Sequence, residues 1–416
     1  MKPLTVSFAF AVLAPIASAQ EASLGDVSGM LDFRIGGADG ESSWLDGDFG
    51  KLGLGGDDRD FKLDARLARG VLVWRPSLSW STDLYLQLEV DPEQDDVIGV
   101  GEAYLRFKPL PSGPVRYSVR VGAFYPPVSL EHDGLAWSTT HTITPSAINS
   151  WIGEEVKVGA VEGTVTAPLA DGQLSVTGAL FGYNDTSGTL LTFRGWAMHD
   201  HQVPIGGSFP LPERTPQYWS FRKRQAHKAE PFREIDDRVG YYARAEWRAA
   251  DPFLVNFTYY NNAGDGRSYE DLQTSWATTF SNVGFTAALS DDFHLFAQAM
   301  IGKTDWIPLA NAPIPYVDDV GFRAVYVMLD RAFGDQGVAL RLDAFDTADR
   351  DQAFSYNSTP ETGWSVTAAW RNQLAPGLLL MVEGLFIDSD RPSRTADGIA
   401  ARQSQLQIES GLRWEF

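Results

Sequence analysis

The final stretch, Arg402 to Phe416, constrains the fold more than any other segment. Leu406, Ile408, Leu412, Trp414 and Phe416 share one phase of a two-residue period, while Gln405, Gln407, Glu409, Arg413 and Glu415 share the other. Side chains alternate across an extended strand, so one face is apolar and the opposite face carries charge. A strand of that kind must lie between an apolar medium and a wet one. A soluble sandwich or a closed membrane barrel could each provide that boundary.

The other terminus narrows the choice. Lys2 precedes a short apolar run from Leu4 to Ile16, and Ala17-Ser18-Ala19 forms a small-x-small processing site, so residues 1–19 read as a cleaved secretory signal. The run is too short to cross about 30 Å of hydrocarbon as a helix, and the processing site has no cysteine for lipidation. No later run of about 18 apolar residues offers a transmembrane helix. An exported chain without such a helix can enter a bilayer only as a barrel that satisfies its own backbone. The chain has no cysteine, which removes disulfides, thiol nucleophiles and thiolate metal sites. Its net charge of −20 makes nucleic acid an unsuitable partner.

Alternating segments recur along residues 20–416, without a linker to divide them into domains. They lie at 31–35, 61–73, 83–90, 102–108, 115–121, 155–165, 174–183, 239–248 and 253–261, then at 275–289, 293–303, 320–329, 338–345, 363–371, 378–387 and 403–416, about sixteen in all. Compact Pro, Gly and Asp turns at 109–114, 250–252, 290–292 and 374–377 alternate with longer polar connections. The sequence therefore predicts an all-β, transmembrane, antiparallel up-and-down barrel of about sixteen strands. Trp74, Trp247, Trp370 and Trp414 fall near strand ends, as interfacial aromatic girdles require.

A barrel of this size encloses an aqueous lumen. Strand phase places Arg106, Lys108, Arg116, Arg120, Arg244, Arg323, Arg341 and Arg371 on its wall, with Arg34, Lys62, Arg66, Lys157, Arg248 and Arg413 in the same set. Asp32, Asp64, Asp83, Glu89, Glu102, Glu155, Glu246, Asp343, Glu383, Glu409 and Glu415 oppose them, so the wall is near neutral and the negative excess falls to the loops. Arg106, Arg116 and Arg120 would form a basic ladder suited to anions, because the guanidinium fork matches carboxylate and phosphate. Cross-strand pairing that merely keeps the lumen wet is the alternative.

Two long insertions, about 123–153 and 184–237, interrupt the pattern. The first runs through Gly122-Ala123-Phe124-Tyr125-Pro126-Pro127 and on to Trp151-Ile152-Gly153-Glu154-Glu155. Over residues 119–160 this resembles the phosphate-selective porin O and P group and related uncharacterised proteobacterial porins. The resemblance implies that this loop folds inwards and narrows the channel, making Glu131, His132, Asp133, His141, Trp151, Glu154 and Glu155 its constriction residues. It also implies a homotrimer. The insert is acidic, whereas a phosphate path is lined with lysine and arginine, so the likeness speaks for pore function rather than phosphate. The terminal Phe416 resembles the C-terminal signature of Gram-negative outer-membrane barrels, which the barrel-assembly machinery reads. Outer-membrane lipid and lipopolysaccharide are then the surroundings.

The acidic first loop, with Asp39, Glu41, Asp46, Asp48, Asp57, Asp58 and Asp60, offers oxygen ligands without a calcium-motif spacing. His199-Asp200-His201 offers two imidazoles but no evident further ligands, and Arg222-Lys223-Arg224 adds a basic run nearby. No cofactor or metal is expected. No Gly-x-Ser-x-Gly elbow accompanies the few histidines, so an enzyme is not expected. No plug precedes the first strand, which disfavours a TonB-dependent receptor. The expected function is a porin in the cell outer membrane passing small hydrophilic solutes or ions. A non-conducting adhesion or architectural barrel is the alternative.

Overall fold

The computed structural model describes residues 25–56, 61–92, 94, 97–212, 225–250, 252–306, 318–349 and 360–416. The signal segment 1–19, Asp57, Asp58, Asp60 and the run Arg222-Lys223-Arg224 lie outside the described residues.

Sixteen antiparallel strands close into one barrel. They are β1 (Asp26–Ala38), β2 (Lys62–Arg75), β3 (Thr82–Val90), β4 (Ile98–Phe107), β5 (Arg116–Phe124), β6 (Val158–Leu169), β7 (Gly172–Gly182) and β8 (Gly240–Ala249). The second half comprises β9 (Phe253–Asn261), β10 (Ala277–Ala288), β11 (Phe293–Trp306), β12 (Asp318–Phe333), β13 (Gln336–Asp349), β14 (Glu361–Ala375), β15 (Leu378–Asp390) and β16 (Arg402–Glu415). Each strand pairs with the next, and β1 also pairs with β16, so the ladder has no free edge. No helix among the described residues is long and apolar enough to cross a membrane.

The C-terminal strand makes the closure. Gly29 N donates to Phe416 O (2.9 Å) and Phe416 N donates to Gly29 O (3.0 Å), which extends the β1–β16 ladder to the last residue. The two faces of β16 separate as their alternation requires. Leu406, Ile408, Leu412, Trp414 and Phe416 are exposed outwards, whereas Gln405, Gln407, Glu409 and Arg413 are buried within the barrel. At the short-turn end the chain reverses in two residues at Pro376-Gly377, where Gly377 has φ +76°. A Cβ there would also meet Glu415 O at 2.2 Å, so glycine is required both for the turn and for the neighbouring strand.

The lumen departs from a simple polar bore. The loop joining β5 to β6 carries helix α1 (Ala147–Glu155), whose nine residues are all buried. Ser146 caps it, its side chain accepting from Asn149 N (3.3 Å). Glu155, expected to begin the sixth strand, therefore ends this helix, and Lys157 lies just beyond it rather than on the wall. Trp151, Ile152 and Ile148 of the loop, with Trp196 and Met198 of the loop joining β7 to β8, pack against inward Phe280, Met300, Phe322, Phe345 and Leu385. Trp44 of the first loop joins Leu190, Phe193, Val203, Trp276 and Trp306 in a second apolar cluster. Three insertions thus turn back into the barrel and build a core inside it.

This core explains why Arg323 does not line the lumen. On β12, Phe322, Ala324, Tyr326 and Met328 face inwards against the loops, while Val325, Val327 and Leu329 face outwards. Both phases are apolar, and Arg323 falls on the outward one, 70% exposed and paired with Asp346. A lumen packed against folded loops selects apolar residues where an open one would select polar residues.

Candidate functional site

The remaining proposed wall residues face inwards or lie at the short-turn rim, but most are matched by partners. Arg106 donates to Asp83 (2.9 Å), Arg120 to Glu162 (2.6 Å), Arg244 to Glu246 (2.5 Å) and Arg371 to Asp330 (2.9 Å). Arg116 donates to the neutral Gln173 (2.5 Å), and Lys108 lies exposed just beyond β4. Each arginine of the supposed ladder is tied to another strand, Arg106 and Arg120 to carboxylates of adjacent strands and Arg116 to Gln173 of the next but one, so the ladder is not a row of free cations. Arg341 is fully buried. It donates to Glu131 (3.0 Å), Asp343 (2.9 Å), Thr144 O (2.7 Å) and Pro145 O (3.0 Å). It fastens the first insertion to the wall and presents nothing to a passing solute.

The constriction candidates divide in the same way. Glu131 accepts from Ser146 Oγ and Asn149 Nδ2 (both 2.5 Å). Trp151 sits in the inner core and its Nε1 donates to Glu155 (2.6 Å). Glu155 also accepts from Gly188 N (3.0 Å) and Leu190 N (2.8 Å), which joins the two insertions. Burial pushes its carboxyl up to about 7, against the pull of these hydrogen bonds. Glu154 accepts a fork from Arg194 (2.6 and 2.8 Å) and faces His199 at 2.6 Å. Burial would raise its carboxyl, but Arg194 and His199 bring it down to about 2. These four residues brace the loops. His132, Asp133 and His141 border more open space. His132 stacks on Trp137 with ring centroids 3.6 Å apart, and burial followed by repulsion from Arg69 lowers its imidazole to about 3. Asp133 is exposed and accepts from Thr140 (2.7 Å), and His141 lies 3.2 Å from Asp330.

The two insertions approach the wall at β1, β2 and β16. There His132, Ser138 and Thr139 of the first and Asp200 and Gln202 of the second face Met30, Asp32, Arg34, Arg69 and Arg413 across a cavity of about 10 Å³. That volume is at the lower limit for one water molecule. Arg34 is the centre of the charge cluster. It donates to Asp32 (2.9 Å), forks onto Asp200 and lies 3.7 Å from Glu409. Arg66 donates to Glu409 (3.0 Å), Arg413 to Asp32 (3.1 Å), and Arg69 to Glu89 and Gln202 (each 2.8 Å). Four guanidiniums, from Arg34, Arg66, Arg69 and Arg413, are met by five carboxylates, Asp32, Asp64, Glu89, Asp200 and Glu409.

Sequence reasoning missed Arg69, because the β1–β2 register shifts between Asp32 and Phe33. Ala68 is the extra residue of a bulge, so Arg66 and Arg69 both face inwards although they differ in parity. Two arginines three apart in one strand were the available sign. Asp200 was legible only as part of a metal-like triplet. The structure does not assemble that triplet into a metal site. His199 Nδ1 accepts from His201 N (3.1 Å), its Nε2 faces Glu154, and His201 lies 3.4 Å from Asp91. Among the described residues, Asp185, Glu234 and Asp236 instead bring ligand atoms within 4.8 Å of one another. Burial and the neighbouring Glu234 push Asp185 up to about 7.

No family model matches the sequence, and no curated protein matches it. Solved structures match the fold. The outer membrane channel DcaP of Acinetobacter baumannii aligns with a TM-score of 0.57 and 13% identity, covering 94% of this chain and 96% of that one. A loop L8 deletion mutant of OmpT, an outer membrane protein of Vibrio cholerae, aligns at 0.53 with 9% identity, covering 94% and 98%. The trimer form of OmpT aligns at 0.51 with 10% identity and the same coverage. At such identities the likeness is one of fold.

Proposed function

We propose that this chain is an outer-membrane channel for passive diffusion of small hydrophilic solutes, with its path running beside β1, β2 and β16. The observation that carries this reading is the small charged cavity between two inward-folded loops and that wall, inside a closed barrel whose outer face is apolar. An apolar exterior and a self-satisfied backbone suit a bilayer, and a narrow charged passage filters by size and sign. Residues 1–19 would direct export, Phe416 would present the last strand to the barrel-assembly machinery, and lipid and lipopolysaccharide would surround the barrel. The trimer form of the Vibrio cholerae OmpT supports a homotrimer for this chain.

The matched charges favour weak ion selectivity over strong anion preference, and they weigh against a phosphate path. A second reading, a non-conducting barrel for adhesion or envelope architecture, is favoured by the smallness of that charged cavity, about 10 Å³. Single-channel recording in planar bilayers separates the two. The channel reading expects discrete conductance steps from the folded protein, and silence from the protein and from variants with a widened aperture would defeat it. Uptake of solutes in an outer membrane lacking its other porins would then identify what passes.

A further inference from the structure

The segment 198–203 of the second insertion is pinned on three sides. Met198 N donates to Lys51 O of the first loop (2.8 Å), His199 N to Ser150 Oγ of α1 (3.1 Å) and Val203 N to Gly153 O (3.1 Å). Both histidine rings of the His-Asp-His triplet turn towards Trp44, with centroids 4.5 and 6.2 Å away. Asp200, between them, turns to the wall and grips Arg34 through both carboxylate oxygens. Its side chain is 24% exposed, while those of Arg34, Asp32 and Glu409 are 2%, 1% and 2% exposed. Asp200 is therefore the most exposed of the carboxylates around Arg34, and it borders the cavity of about 10 Å³ together with His132, Arg69 and Arg413.

Resting on the channel reading above, we infer that Asp200 is a built-in latch: it covers the solute-facing edge of Arg34 and sets both the width and the electrical sign of the aperture. Two features support this. Removing Asp200 leaves Arg34 with Asp32 at 2.9 Å and Glu409 at 3.7 Å, so the wall keeps its own pairing. Removal also changes the charge of the cluster. Arg34, Arg66, Arg69 and Arg413 would then face Asp32, Asp64, Glu89 and Glu409, so the five carboxylates around four guanidiniums fall to four and one negative charge is lost beside the cavity. The neighbouring Arg34, overcoming the effect of burial, holds the Asp200 carboxyl well below the usual carboxylate range, so the latch stays charged at any physiological pH.

The test compares single-channel conductance and reversal potential in asymmetric KCl for the full protein, Asp200→Ala, Asp200→Asn and the outward control Arg323→Ala. Asp200→Ala is expected to raise conductance at least about twofold and move the reversal potential towards chloride, because width and sign both change. Asp200→Asn, which keeps the size, is expected to move the reversal potential with a smaller rise in conductance. The natural chain has no cysteine, so Asp200→Cys supplies an independent measurement. An anionic thiol reagent added to it should lower conductance and return the reversal potential towards that of the unaltered protein. A silent protein whose Asp200→Ala variant conducts would support a latch that shuts the path completely. Unchanged conductance and reversal potential in every Asp200 variant would overturn the latch and leave the channel reading standing. Silence from all folded forms would overturn both.

Discussion

Arg341 and Arg34 are both inward arginines surrounded by carboxylates, yet they have different work. Arg341 has no exposed surface and spends its donors on Glu131, Asp343 and the carbonyls of Thr144 and Pro145. Replacing it by methionine would leave Glu131 and Asp343 buried without a counter-charge, a loss of about 3–5 kcal/mol for a broken buried pair. Limited proteolysis of the Arg341→Met protein is expected to cleave within 125–157 under conditions that spare the unaltered protein. Arg34 meets a partner that retains contact with water, so its pairing is open to competition. Arg323 lies outside the barrel wall altogether, and Arg323→Ala is expected to leave ion selectivity unchanged in the same recordings. Charge alone did not distinguish these three residues in the sequence. Burial, a partly exposed partner and outward phase did.

At the scale of elements, the inserted loops behave as packed substructures rather than surface connectors. Trp151 lies among Trp196, Phe280 and Phe322 at centroid distances of 6.2, 5.5 and 5.1 Å. Truncation of such a buried ring typically costs about 3–5 kcal/mol, so Trp151→Ala is expected to loosen the loop without opening the sheet. Hydrogen exchange should rise at 140–156 while the β9–β15 ladder stays protected. Acidity should act oppositely on two parts of the loops. His132, lowered from 6.5 to about 3, contributes stability that is present above 6.5 and lost as pH falls towards 3. Glu155, raised from 4.5 to about 7, contributes stability that is full below 4.5 and lost as pH rises through 7. After correction for intrinsic rates, exchange at 130–140 is expected to be slower at about pH 8 than at about pH 5, and exchange at 186–192 slower at about pH 5. The strands themselves were legible because period-two alternation is a local property. Helix α1 was not, because nine residues are too few to set a period apart from the neighbouring loop, and its polar Asn149, Ser150, Glu154 and Glu155 are buried with its apolar residues.

For the molecule as a whole, the wall and the mouth differ in charge. The aperture cluster sets four guanidiniums against five carboxylates and is close to balanced, whereas the chain carries −20 overall. Screening lengthens from about 10 Å at 0.1 M salt to about 30 Å at 0.01 M, so the acidic excess should draw cations to the mouth only in dilute salt. Reversal potentials are therefore expected to shift towards cation preference as ionic strength falls, and a selectivity independent of salt would place control at the aperture alone. The sequence by itself determined the closed barrel, the strand number and which face of most strands points outwards, because a strand's two faces follow directly from the order of its residues. It also placed most of the charges inside. Only the tertiary structure decided how those charges are neutralised. The groups that neutralise them come from distant parts of the chain, as when Asp200 returns to Arg34 from 166 residues away and Arg413 meets Asp32 across 381. Alternation carries no record of where a long loop will fold back, so the aperture appears only when the loops are packed inside the barrel.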